Sequence, residues 1–157
     1  MNEQEWLTKE MRRALHRRLA AWSDGPGYRQ ACELADSHRH LLPRPVTPSQ
    51  LHGLRNVVAA ESAPEQVKRF TRHQAQKAER RGDLELRDYW QAVGKALSGL
   101  QATAEELWAA IGGEALDLPK KQQKSARDEI HMQLMRAFVQ HLVAHSVYLK
   151  EQPEEYA

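Results

Sequence analysis

Apolar side chains recur every three or four residues along most of this chain, and nowhere do they alternate long enough to predict a strand. Over residues 3 to 22, Leu7, Met11, Leu15, Leu19 and Trp22 step by four, four, four and three, which lines one helical face. Lys9, Arg12, Arg13, His16 and Arg17 fall on the opposite face and make a basic stripe. Arg18 lands among the apolar positions, where it must snorkel, pair with a carboxylate or sit at a subunit contact. Asp24-Gly25-Pro26-Gly27 predicts a turn that stops the first helix, because glycine supplies positive φ and proline fixes its own. A short helix from Tyr28 to about His38 follows, with Ala31, Leu34 and Ala35 inward.

After the proline-stiffened connection Leu42-Pro43-Arg44-Pro45-Val46, Thr47-Pro48-Ser49-Gln50 matches a capping box with proline at the first helical position. Leu51, Leu54, Val57 and Val58 give that helix its buried face. Ser62-Ala63-Pro64-Glu65 repeats the capping pattern and starts the next helix, Glu65 to Arg81, whose inward stripe is Val67, Phe70, Gln74 and Ala78. So short a join makes the two helices neighbours in space. Gly82 is the expected C-cap and Asp83 the N-cap of a core helix carrying Leu86, Tyr89, Trp90, Val93, Leu97 and Leu100. Thr103-Ala104-Glu105-Glu106 reads as a third capping box, opening a short helix with Leu107, Trp108 and Ile111 that ends at Gly112-Gly113. A loop carrying Lys120, Lys121 and Lys124 leads to a final helix of about Ser125 to Leu149, with Ile130, Leu134, Phe138, Leu142 and Leu149 inward. The acidic Glu151 to Tyr156 segment is expected to fray. The expected fold is all-α, a bundle of five to seven helices forming one domain over residues 1–150.

Length and composition narrow the partner. A chain of 157 residues can bury a core without disulfides or metal, and its single cysteine, Cys32, cannot form an intramolecular bridge. The charged N-terminus and the absence of an apolar run near ~20 residues favour a reducing, cytoplasmic setting with no membrane partner. A net charge of +2 says little; its distribution says more. Lys68, Arg69, Arg72, Lys77, Arg80 and Arg81 crowd one helix against a single acid, Glu79, and can track a phosphate backbone as the Arg12, Arg13 and Arg17 stripe can. Trp22, Trp90 and Trp108 sit on apolar stripes, so the expectation is phosphate contact without base reading.

Catalytic signals are sparse, and neither catalytic residues nor a cofactor or metal are expected. Arg136 and His141 form an Arg-x4-His spacing that resembles the ribonuclease motif of HEPN domains, although that family usually has a polar residue where Ala137 stands. His131, His141 and His145 share one side of the last helix, yet no cysteine or carboxylate on that face completes a metal site, which predicts packed histidines bonded to carbonyls or neighbouring side chains. His38-Arg39-His40 reads as a helix end with cations near its C-terminal dipole. No glycine-rich phosphate loop, Cys/His dyad or carboxylate pair on an apolar face is present.

The run from Val46 to Val58, VTPSQLHGLRNVV, followed by EQVKRFTRHQAQK from Glu65 to Lys77, resembles the small helical subunit of type III CRISPR effector complexes. The resemblance covers roughly residues 46 to 100, with looser agreement over 125 to 149. His52 stands where that family often has a basic residue, with Arg55 a turn later, and the N-terminal basic helix finds no counterpart. The resemblance implies a non-catalytic subunit that stacks with copies of itself, lies along single-stranded guide and target RNA beside other effector subunits, and contacts RNA through Arg55, Lys68, Arg69, Arg72 and Lys77. A stand-alone DNA-binding regulator is the other reading of the 47–81 helix pair, with Gln66 the sole outward amide placed to read bases.

Overall fold

The computed structural model describes residues 7–152, and among these every regular element is helical. Six α-helices form an all-α bundle: α1 (Lys9–Trp22), α2 (Tyr28–Ser37), α3 (Pro48–Ala60), α4 (Pro64–Arg80), α5 (Leu84–Ala110) and α6 (Lys120–Glu151). No described helix is long and apolar enough to cross a membrane. The helix predicted from residue 3 does not run through Leu7 and Thr8: Thr8 is extended and caps α1 by accepting the Met11 N–H at 3.1 Å, so the helix opens at Lys9; residues 3–6 of that prediction and the tail beyond Gln152 lie outside the described residues.

The bundle is built around α6. Ile130, Met132, Leu134, Met135, Phe138, Val139, Leu142 and Val143 are all buried, and since successive helical residues point about 100° apart they cover most of the circumference. Helices α2, α3 and α5 pack around it. α5 carries the next layer, with Tyr89, Trp90, Val93, Leu97, Leu100 and Trp108 inward, and α4 lies along α5.

Several boundaries follow the predicted chemistry. Thr47 and Gln50 cap each other at 3.2 Å in both directions, with Pro48 opening α3. Gly82 takes φ 76°, its N–H donates to the Glu79 carbonyl and that of Asp83 to the Ala78 carbonyl, which closes α4 before Asp83 accepts the Leu86 N–H at 3.1 Å. α5 likewise ends at Gly112, with φ 84°.

Four further boundaries differ. Asp24-Gly25-Pro26-Gly27 is no turn: Ser23–Gly27 forms a π-helical segment that joins α1 to α2, and neither glycine uses positive φ. The reason is packing, because a Cβ at Gly27 would lie 2.6 Å from the Trp22 ring, so the small residue seats the indole. A widened turn also tolerates the absence of a backbone N–H at Pro26. At the start of α4, Ser62 is exposed and makes no cap; Ala63 holds the N-cap position without a side-chain bond, and Pro64 at N1 suffices. Thr103 sits inside α5, whose apolar period runs from Leu97 through Leu100, Ala104 and Trp108 past Gly99 with no proline to stop it. Lys120, Lys121 and Lys124 belong to the first turns of α6 and not to a loop, since Pro119 pre-sets the backbone at the N-cap and the chain is helical from the next residue.

Candidate nucleic-acid interface

α4 is held on one side and charged on the other. Val67, Thr71, Ala75 and Ala78 are buried, and Phe70 meets Trp90 edge-on at 6.0 Å. Thr71 and Ala75 broaden the inward stripe beyond the four positions its sequence suggested, because α5 approaches closely at Gly94. Arg69, Arg72, His73, Gln76 and Arg80 are exposed along the opposite face, with Lys68 and Lys77 half-buried on its two flanks.

Two acids share this helix, one more than the charge pattern suggested. Glu65 lies 3.8 Å from Arg72, with both side chains largely exposed, a pair that contributes little in water. Glu79 is drawn off by Arg87 of α5 at 3.4 Å. Arg69, Lys77 and Arg80 face solvent without an ion pair among the described residues.

The other predicted contacts lie elsewhere. Arg12, Arg13 and Arg17 are exposed on α1, which packs on the π-helical segment and α5, so the second stripe is carried on a separate part of the bundle. Arg18 is exposed as well. Arg55 lies in a groove between α3 and α6 with His52, Val58, Gln140, Val143 and Val147. Gly53, on the other side of α3, is the position that meets Phe70 of α4. Arg55 is thus set apart from the Arg69–Arg80 face.

Along the enclosed stretch of α6, Arg136 and three histidines are committed to the protein. Arg136 is half-buried, not solvent-facing as an outward position would be: its Nε donates to the Val58 carbonyl at 2.8 Å and Nη2 to the Glu61 carbonyl at 3.1 Å, which fastens the end of α3 to α6. His141 bonds Ser23 Oγ through Nε2 at 2.9 Å and meets Tyr28 edge-on, on the α2 side of the helix. Arg136 and His141 therefore engage different neighbours. His145 bonds Asp36 at 2.8 Å, and buried His131 donates through Nε2 to the Leu97 carbonyl at 2.8 Å. Burial holds the His131 imidazole below its ordinary pKa, a shift that the Leu97 bond partly offsets.

Sequence reasoning missed an aromatic ledge formed by exposed Tyr28 and Tyr148, the latter stacked on His145 at 5.7 Å. Long-range packing of α2 on α6 creates it, so no local signal could have found it. It adjoins Asp36 on the α2–α6 side and does not interleave with the cations of α4.

No protein-family model matches this chain, no curated protein matches it, and no solved structure matches it.

Proposed function

We propose that this protein is a non-catalytic subunit that holds the phosphate backbone of single-stranded RNA, in the manner of the small helical subunit of a CRISPR effector complex. One observation carries the reading: α4 is fastened through Val67, Thr71, Ala75 and Ala78 and presents Arg69, Arg72 and Arg80 outward on one face, where Glu65 makes only an exposed pair with Arg72 and Glu79 is held by Arg87. Guide and target RNA are the strands this face would follow, and stacked copies beside other subunits would supply the avidity a single helix lacks. The Arg12, Arg13 and Arg17 stripe is a second place for such contacts.

Two alternatives draw less support. An Arg136/His141 nuclease needs both groups free to meet a substrate, whereas Arg136 is bonded to two carbonyls and His141 to Ser23. A base-reading DNA regulator rests on Gln66 alone, the one exposed amide in the first turn of α4.

Filter binding to several unrelated single-stranded RNAs tests the reading with the R69E/R72E variant. Reversing two charges should weaken binding by at least about tenfold on every sequence, because phosphate contacts carry no sequence information. Unchanged affinity in the variant, or a preference above about tenfold for one RNA, would assign the face to solvent or to base reading.

A further inference from the structure

The groove between α4 and α5 concentrates hydrogen-bonding groups, of which Arg72 also makes an exposed pair with Glu65 and Glu79 a pair with Arg87. Lys68, Arg72 and Gln76 line it at i, i+4 and i+8 of α4, and Gln91, Gly94 and Ser98 at i, i+3 and i+7 of α5, so each row stays on one face of its helix. Gly82 and Asp83 join the two helices tightly, which makes the rows antiparallel neighbours. The floor is the close approach of Gly94 to Thr71, where an added Cβ would stand 2.9 Å from the hydroxyl oxygen. Trp90 closes the wall, and its buried Nε1–H has no hydrogen-bond partner among the described residues. The cavity measures about 390 Å³, which suits a small polar ligand or one unit of a longer chain.

The walls differ in kind. α4 supplies both cations of the groove, Lys68 and Arg72, together with the Gln76 amide; α5 supplies only neutral polar groups, the Gln91 amide and the Ser98 hydroxyl, each able to donate and to accept. Glu79 stands at one end, tied to Arg87. A ligand matching both walls carries anionic charge along one edge and neutral hydroxyls along the other. Ribose-phosphate chain has that alternation, and its 2′-hydroxyl both donates and accepts, whereas deoxyribose offers nothing at that position. We infer that this groove seats the ribose-phosphate backbone of one RNA strand, with Lys68 and Arg72 on phosphates and Gln91 and Ser98, about 10 Å apart along α5, on separate 2′-hydroxyls, so that the protein distinguishes RNA from DNA without reading bases. The inference rests on α4 being the RNA-holding face and adds to it the recognition of the sugar.

The test compares RNA, DNA and 2′-O-methyl RNA of one sequence, at one salt concentration, against the wild type, Q91A/S98A and Q91A alone. The wild type should favour RNA over both other strands by at least about threefold, the low end expected from one neutral hydrogen bond. Q91A/S98A should bring all three affinities together by weakening RNA alone, and Q91A, a change at an exposed position, should move the ratio the same way with no effect on folding. Equal binding of RNA and DNA by the wild type, with R69E/R72E still impaired, would overturn the sugar assignment and leave the backbone reading standing. A preference for RNA that survives in both variants would also overturn it, because the hydroxyl would then be read elsewhere. Absence of binding to every strand would overturn both.

Discussion

Helices α4 and α6 both carry arginine and histidine, yet they put them to opposite uses. On α6 the side chains of His131, Arg136, His141 and His145 each reach a carbonyl, a hydroxyl or a carboxylate of a neighbouring element. On α4, Arg69, His73 and Arg80 project from a helix whose other side is fully packed. The difference is one of position, since side chains on the enclosed stretch of a central helix meet neighbouring elements, whereas those on the outer face of a helix at the margin are left for water or a ligand. Arg136 and the histidines of α6 are therefore architecture, and the cations on the outer face of α4 are available for function.

The largest effect that would break this contrast is a core truncation on α6. Phe138→Ala should cost about 3–5 kcal/mol in chemical denaturation, because Phe138 is fully buried. A loss below about 1 kcal/mol would mean that α6 is not the central helix. Arg136→Met keeps much of the side-chain bulk but strands two carbonyls at the end of α3, and should cost about 1.5–3 kcal/mol. A neutral outcome would place that guanidinium in solvent.

His131 supplies a dependence on pH whose sign is fixed by burial. Its folded pKa lies below the unfolded imidazole value near about 6.5, so the unfolded chain binds the proton more readily. The contribution of neutral His131 is fully present above that value and is lost as pH falls through it towards the folded pKa. Melting temperature followed from pH 7.5 to pH 5 should decline, with a shallower decline in His131→Gln. Identical profiles would remove His131 as a source of acid sensitivity. The smallest effect belongs to α4: R69E/R72E should leave stability within about 0.5 kcal/mol of wild type, since both side chains are exposed. A larger loss would show that this face supports the fold.

Much of the architecture was legible wherever the signal is local. Thr47 with Gln50, and Gly82 with Asp83, mark helix ends because capping involves residues three or four apart and needs no knowledge of the rest of the chain. The inward positions of α5 and α6 follow from the helical period for the same reason. Asp24 to Gly27 misled because a distant requirement, the seat that Gly27 makes for Trp22, outweighed local turn chemistry. Thr103 misled because a capping pattern also fits a helix interior when the apolar period continues through it. At the candidate site, Arg69, Arg72 and Arg80 were legible as one exposed face, since they share a helix. The segregation of Arg55, the capture of Glu79 by Arg87 and the groove facing Gln91 and Ser98 all depend on contacts between helices, and periodicity carries no information about those.

The most direct test of the account is the salt dependence of RNA binding by the intact protein. If Lys68, Arg69, Arg72, Lys77 and Arg80 neutralise ~5 phosphates of a single strand, log K should fall against log salt with a slope of about −3.5. Raising salt from ~50 to ~200 mM should then weaken binding roughly 100-fold. R69E/R72E should flatten the slope as well as lower the affinity. A slope near zero, or a wild-type slope retained in the variant, would contradict the assignment of α4 as the surface that holds RNA.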